Sequence, residues 1–429
     1  MKRLILFELI IIFLATTFES DSPPGWFQQT IPVNKIINDI FFIDSSNGWA
    51  VTAKSVAGDT SFVIKTTNNG ANWNVVYNLT NHLRVVQFLD LNTGYIAGGT
   101  VGGTAQVYKT TDGGINWSIM LSVLSGSNFR DIFFVNKDTG WVGDDNISGG
   151  AGLRKTTDGG LSWSQQLSGS FGPSKLFFIN KDTGWAACQN TNLYRTTNGG
   201  ALWTLQFTFT PFDNDIRSIF FINGNTGWTT HYTPSDTNGV YITTNGGFNW
   251  ATQRGPDVTG SGMVGIYFPT IDTGYIAAQI ILKTTNSGLN WFKQTSPSIN
   301  YSSLSFTAVN TGWTSGLIVA HTNDGGGPPV GIIQTSNEVP LDYELFQNYP
   351  NPFNPLTNIK YSVKSQTSDV KLIVYDIQGK LVIELVNQKQ NAGTYQADWN
   401  ASGFSSGIYF YILIADNKIV ETKKMILIK

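Results

Sequence analysis

The chain has 429 residues, a net charge of −2 and only 13% charged residues. That is length for two or three domains and too little basic charge for a polyanion such as nucleic acid. Its 45 glycines and 13% aromatic content favour many short strands joined by tight turns. One cysteine, Cys188, excludes an intrachain disulfide framework; its setting in "GWAACQN" reads as a buried strand position with no electropositive neighbour to activate a thiolate.

Residues 1–22, "MKRLILFELIIIFLATTFESDS", join a basic start to an apolar run of about fourteen residues interrupted by Glu8. The run is short for a membrane span and suits a secretory signal peptide. No A-x-A site precedes Asp21, so an uncleaved anchor stays open as the alternative. No later segment is apolar enough to span a bilayer, and a monomer without a transmembrane span is expected of the mature chain.

Residues 23–327 carry seven repeats. Each contains a line such as "NDIFFIDSSNGWAV" (38–51) or "RDIFFVNKDTGWVG" (130–143), with an aromatic after the Gly at 49, 95, 141, 185, 228, 275 and 313. The period of about 44 residues predicts a seven-bladed β-propeller of four-stranded blades. Strand A is the "DIFF" run, and its Phe register (Phe42, Phe88, Phe134, Phe178, Phe221, Phe268, Phe306) is expected to stack between blades. Strand B starts at the aromatic after an "NTG" turn. Strand C ends in "KTT", and strand D opens at a Trp found at Trp73, Trp117, Trp163, Trp203, Trp250 and Trp291. The seventh copy, "HTNDGGGPP" (321–329), has Pro329 where that Trp belongs, and proline cannot donate to a ladder. "WFQQTIP" (26–32) matches "WFKQTSP" (291–297) nearly residue for residue. Trp26 is therefore expected to open the missing strand and close the ring, removing two sheet edges.

The C–D turn "KTTDGGLSW" (155–163) has an acid beside two glycines, which suits a catalytic acid, a calcium loop or a plain turn. Its pattern, T-x-[DN]-x-G-x-x-W, resembles the Asp-box of sialidase-type and related propellers. Asp112, Asp158 and Asp324 hold the acid position, whereas Asn stands at 68, 198, 245 and 286, which keeps hydrogen bonding and loses charge. Carboxylates spread one per blade cannot converge on a metal or substrate, so the box is expected to be a hairpin staple. The linked "TTDGG…W" and "NTGW" pattern over about residues 24–327 also resembles the photosystem II stability and assembly factors. That resemblance implies a seven-bladed scaffold and carries no photosynthetic role by itself.

The Asp-box and "NTG" turns share one face of the ring. The variable B–C and D–A loops share the other, where binding loops are expected. Eleven positions before each strand-B aromatic, on that second face, stand Asn38, Arg84, Arg130, Ser174, Arg217, Val264 and Ser302. Three of the six arginines outside the signal segment occupy this one register. Guanidinium forks suit carboxylate or phosphate, so Arg84, Arg130 and Arg217 form the candidate ligand site; pairing with local carboxylates such as Asp131, Asp213 or Asp215, or with a nearby carbonyl, is the alternative. Three arginines from different blades resemble the sialidase triad, but residues 23–337 contain no glutamate to activate a nucleophile. Loop-face aspartates (Asp144, Asp145, Asp213, Asp215, Asp236, Asp257) leave a secreted glycoside hydrolase as the rival class. His82, His231 and His321 fall at different repeat positions with no metal-ligand spacing, and no Walker lysine follows the glycine pairs, so neither a metal nor a cofactor is expected.

Residues 328–340 read as a linker, and 341–429 as an immunoglobulin-like sandwich of about seven strands with hairpin turns at "DIQGK" (376–380) and "ADNK" (415–418). The motifs "NYPNPFNP" (348–355), "VYDIQGK" (374–380), "AGTYQADWN" (392–400), "SGIYFY" (406–411) and "KKMILIK" (423–429) resemble the type A sorting domain of the bacterial type IX secretion system. The resemblance assigns the sorting signal to Asn348, Pro350, Asn351, Pro352, Gly407, Tyr409 and Lys424. It implies the type IX machinery as a partner and a secreted or outer-membrane surface-attached destination. The expected function is an exported, non-enzymatic binding protein whose propeller holds a surface protein or glycan. A third reading is an assembly factor for a membrane complex.

Overall fold

The computed structural model describes residues 25–429 apart from 55–58, 100–102, 125–127, 145–151, 169–171, 189–190, 210–214, 233–238, 255–262, 290, 295, 298–299, 327–331, 337, 366–367, 402–403 and 429. The signal segment 1–22 and Pro329 lie outside the described residues. The described chain is all-β. Seven four-stranded sheets form the propeller and two more form the sandwich. In the first six blades, strands A to D are consecutive; blade 3, for example, runs Phe129–Phe134, Gly140–Asp144, Gly152–Thr156, Ser164–Ser168.

Blade 7 breaks that order. Its strands A to C are Tyr301–Phe306, Gly312–Gly316 and Val319–Thr322, and the fourth is Phe27–Gln29 from the other end of the propeller sequence. Phe27 pairs with His321 and Gln29 with Val319. The N-terminal strand thus seals the ring.

A three-ring unit fixes the blades to each other. The strand-A Phe stacks on the strand-B aromatic of the preceding blade and meets the Trp of its own strand D edge-on. Phe134 lies 3.6 Å from Tyr95 and 6.1 Å from Trp163, centroid to centroid. Phe221 repeats this with Trp185 and Trp250 at 3.5 and 6.1 Å. In blade 7, Trp26 takes the edge-on place, 5.9 Å from Phe306. Such pairs add about 0.5–1.5 kcal/mol beyond area burial. The "NTG" glycine is explained by the same ring. Gly140 has no left-handed backbone, but a Cβ there would run into the Phe134 ring.

The Asp-box turns are closed by their own side chains. Thr156 Oγ1 donates to Asp158 Oδ1 (2.8 Å) and accepts from Gly160 N (2.8 Å), and Asp158 Oδ1 also accepts from Ser162 N (2.9 Å). Gly159 and Gly160, at φ 73° and 98°, supply the left-handed backbone the turn needs. In blade 7 Thr322 closes the turn on Asp324 Oδ1 in the same way, and Asp324 Oδ2 also accepts from Gly25 N at 2.9 Å, so the broken box holds the start of the closing strand. The lysine of "KTT" also has a structural use. Lys155 Nζ lies 5.2 Å from the Trp141 ring centre and donates to Gly199 O in the next blade's box at 2.6 Å. Lys65, Lys109 and Lys283 do the same toward Gly113, Gly159 and Gly325.

The sandwich has eight strands in two sheets. One runs Ile332–Ser336, Gly393–Asn400, Leu356–Val363, Glu344–Leu345, and the other Leu381–Gln390, Ser368–Asp376, Gly407–Ala415, Lys418–Leu427. Residues 332–336 had been assigned to the linker. They form a strand pairing with Thr394–Ala397, because "IIQTS" is an extended β-branched run that offers its backbone to an open sheet edge. The core joins Trp399, Tyr361, Tyr411 and Leu372, all fully buried. The "NYPNPFNP" segment is tied into it. Asn348 N donates to Tyr411 Oη (2.8 Å) and its Nδ2 to Thr357 Oγ1 (2.8 Å). Asn351 Oδ1 accepts from Ile426 N at 2.9 Å, fastening the segment to the last strand beside Lys424. Tyr409 Oη donates to Ser405 O four residues upstream (2.7 Å), a tyrosine-corner contact. "DIQGK" and "ADNK" are the hairpin turns; Asp416 and Asn417 both have positive φ, as a two-residue type I′ turn requires.

Candidate functional site

The innermost strand of each blade, strand A, lines the channel, and in six of the seven blades a β-bulge marks its outer end. Pairing with strand B skips residue 38 between Ile37 and Asp39, 84 between Leu83 and Val85, and 130 between Phe129 and Asp131. It likewise skips 174, 217 and 302. The extra residue of each bulge is the register that holds Asn38, Arg84, Arg130, Ser174, Arg217 and Ser302. A bulge bends its strand and re-aims a side chain, which is why such features gather at barrel rims and binding sites.

Five of those side chains meet, Ser302 standing apart. Asn38, Arg84, Arg130, Ser174, Lys175, Ile216 and Arg217 line one cavity of about 170 Å³ at the channel mouth. Arginines from blades 2, 3 and 5 are therefore brought together, and a fourth cation joins them. Sequence reasoning missed Lys175, because at a bulge two successive residues face the same space and the one-residue register picked only Ser174.

A polar shell holds the mouth in place. Arg84 Nε donates to Asn128 Oδ1 (2.7 Å), Asn128 N to Asp144 Oδ1 (3.1 Å), and Asp144 Oδ2 pairs with Arg154 Nη1 (2.9 Å). Asn38 Nδ2 donates to Leu83 O (2.6 Å) and lies 3.3 Å from His82 Nε2. Burial, then the charges of Arg84 and Arg130, push His82 down to about 4, so it is neutral at neutral pH and adds no charge.

One layer deeper, two carboxylates link neighbouring blades. Asp39 accepts from Ser303 Oγ (2.6 Å) and Val86 N (2.9 Å), and Asp131 from Leu176 N (2.8 Å). Burial raises both against the opposing pull of Lys175, Asp39 to about 6. Below them Phe133, Phe177, Phe220 and Tyr267 form a run of rings 5.7, 5.1 and 5.0 Å apart. The mouth is thus a cationic cup over two interblade carboxylates and an aromatic layer.

Other candidates are placed elsewhere. Asp144, expected among the loop-face aspartates, is the fully buried last residue of strand B, paired with Arg154. The ion pair makes that burial tolerable. Asp145, Asp213, Asp236, Asp257 and the side chain of Asp215 lie outside the described residues. Asp131 makes an interblade backbone contact. His231 packs between Phe209 and Tyr241, and His321 stacks on Trp313 where four other blades have lysine. Among the described residues no group of three metal-ligating side chains forms. Cys188 is buried, which drives its thiol up to about 12. Asp112 and Asp158 are held down at about 2, chiefly by hydrogen bonds from Asn116 and Ser162. Among the described residues no helix is long and apolar enough to cross a membrane.

Residues 347–429 match the secretion system C-terminal sorting domain family. The tail marks the chain for bacterial type IX export, to a secreted or surface-attached state. No curated protein matches the sequence significantly. Among solved structures, YCF48 bound to D1 peptide is 17% identical with a TM-score of 0.55, over 70% of this chain and 96% of that one. PorZ, a bacterial surface component of the type IX secretion system of Porphyromonas gingivalis, is 11% identical with a TM-score of 0.52, over 94% of this chain and 60% of that one. The GH74 xyloglucanase of Xanthomonas campestris is 13% identical with a TM-score of 0.55, over 79% of this chain and 60% of that one. At these identities the likeness establishes the propeller fold alone.

Proposed function

We propose that the chain is an exported, non-enzymatic binding protein whose propeller captures an anionic group of a surface protein or glycan at the channel mouth. The observation that carries this reading is the cup of Arg84, Arg130, Arg217 and Lys175 in one cavity. Clustered guanidinium groups recognise carboxylate, sulfate or phosphate through paired charge-assisted hydrogen bonds. Asn128 accepts from Arg84 Nε, a contact that fixes the direction of the guanidinium. On this reading the Asp-boxes staple the blades and take no part in binding. A propeller of the same fold holds a peptide in YCF48, which supports a binding role. The sorting tail supports an extracellular place for it, with the type IX machinery as the tail's partner.

The rival, a glycoside hydrolase, draws on the xyloglucanase likeness, but Asp144, one of its candidate acids, is tied up in a buried ion pair. An assembly factor for a membrane complex would use the same mouth on a peptide of that complex. A panel of acidic peptides and of carboxylated and sulfated glycans separates these readings. Binding without turnover, lost when Arg84, Arg130 and Arg217 are all changed to Ala, supports the proposal. Turnover of a glycan supports the hydrolase, and binding that survives the triple change rejects the site.

A further inference from the structure

The two sheets of the sandwich present opposite chemistry to their surroundings. Antiparallel sheets packed on one face normally alternate apolar inward and polar outward. The sheet that contains Leu356–Val363 and Gly393–Asn400 does so. Its outward positions are Asn358, Lys360 and Ser362 on one strand and Thr394, Gln396 and Asp398 on the next, with Asp398 Oδ1 accepting from both Asn358 (3.1 Å) and Gln396 (2.9 Å). The other sheet does not. Its inward positions, Leu372, Val374, Tyr409, Tyr411 and Leu413, are buried in the core. The positions between them are Ile373 and Tyr375 on one central strand, and Ile408, Phe410 and Ile412 on the other. Cross-strand pairing joins Tyr375 to Phe410, Ile373 to Ile412, and Ile408 to Ile426 on the edge strand. These side chains are continuous across the outer face: Ile408 is 38% exposed, Phe410, Ile412, Tyr375 and Ile426 are half-buried, and Ile373 beneath them is buried. Strand spacing and rise give the face a footprint of roughly 300 Å², of which the exposed part is smaller. Lys424, paired with Phe410, and Lys371, paired with Ile414, flank it, with Glu384 opposite Ile373.

We infer that this apolar outer face is the surface by which the sorting domain is read, and that its occupant is an apolar, carboxylate-rimmed protein surface of the type IX export machinery. A contiguous apolar face of a few hundred Å² is often functional on a soluble domain, because water contact over it is unfavourable. The polar sheet already has the incoming strand 332–336 paired to its edge, whereas the apolar sheet takes no strand from the connecting segment. At roughly 300 Å² the patch is well short of the ~800 Å² per partner of a stable dimer, so it suits the core of a contact whose rim the partner supplies. The flanking lysines call for acidic residues on that rim.

The test expresses the full chain in a bacterium with type IX export and measures its distribution between medium, cell surface and periplasm. Ile408→Lys alone, at a half-exposed position, and Ile408→Lys with Ile412→Lys are compared with Gln396→Lys on the polar face. Melting of each purified full chain checks folding. The expected result is at least a tenfold loss of exported protein for the double variant and a clear loss for Ile408→Lys at unchanged melting temperature, with Gln396→Lys exported like the parent. Should the double variant melt early, Ile408→Lys decides. Export of Ile408→Lys at the parent level overturns the inference, and so does equal loss from Gln396→Lys. Sedimentation that shows a dimer dissolved by Ile408→Lys with export intact assigns the face to a second copy and also overturns it.

Discussion

The two faces of the propeller are built from the same seven repeats and used differently. On the Asp-box face each blade repeats one network. A Thr and an Asp or Asn close the turn on its own backbone, and at Gly113, Gly159 and Gly325 the turn carbonyl receives both the lysine and the strand-B aromatic of the preceding blade. On the opposite face the strand-A bulge carries Asn, Arg, Arg, Ser, Arg and Ser in successive occurrences, with the backbone geometry held constant. Repetition with local satisfaction of every turn is what stability requires. Variation of side chains on an invariant backbone is how a site is made on such a scaffold.

Changes to the repeated architecture should cost stability, and the largest cost belongs to the seam. Deleting residues 25–29 removes a strand, a buried Trp and one partner of Asp324, and opens two sheet edges. A drop of more than roughly 10 °C in melting temperature is expected. Trp26→Ala alone should cost about 3–5 kcal/mol in denaturant titrations, as for other buried Trp truncations. If the deletion melts like the parent, the ring is not held by this strand. Next comes Gly140→Ala, whose added Cβ meets the Phe134 ring. It should cost about 1–3 kcal/mol through overpacking, although Gly140 has no special φ. A neutral result would mean that the stacked rings yield easily.

A smaller effect should come from Asp39, where the interblade contacts and the mouth adjoin. Its carboxyl is raised to about 6, mainly by burial, so the folded state holds the proton more tightly than the unfolded chain. The resulting stability is fully present below the ordinary carboxylate range and is lost as pH rises through about 6. Asp39→Asn removes this dependence. Its melting temperature relative to the parent should rise by on the order of 2–5 °C between pH 4 and pH 7.5. A difference that stays flat across that range would place the titration elsewhere.

Much of this was legible in the sequence because repeats expose their own exceptions. Seven aligned aromatics gave the blade count, and a Pro in the place of the seventh Trp pointed to Trp26 at the other end of the ring. The stacked Phe register was legible for the same reason. Other features depend on partners that the alignment of repeats does not show. The lysine of "KTT" recurs, but its acceptor is a carbonyl of the next blade. The Gly before each strand-B aromatic looks like a turn glycine, yet it is required by a ring six residues upstream. A bulge is invisible in composition, so Lys175 was missed beside Ser174. Asp144 was misplaced because a carboxylate at a strand end reads as a loop residue until its arginine is seen. "IIQTS" lies inside the segment read as a linker, although its own β-branched pattern is that of a strand.

The central claim is that function resides at the channel mouth and not in the Asp-boxes. It is tested most directly by titrating the purified full chain, by calorimetry, with an acidic peptide or anionic glycan selected from the panel. Two variants are compared with the parent, Arg84→Ala/Arg130→Ala/Arg217→Ala at the mouth and Asp158→Asn on the opposite face. The account predicts that the triple variant loses binding by at least a hundredfold with its melting temperature within a few degrees of the parent, while Asp158→Asn binds like the parent. Undiminished binding by the triple variant, or loss of binding in Asp158→Asn, would contradict it.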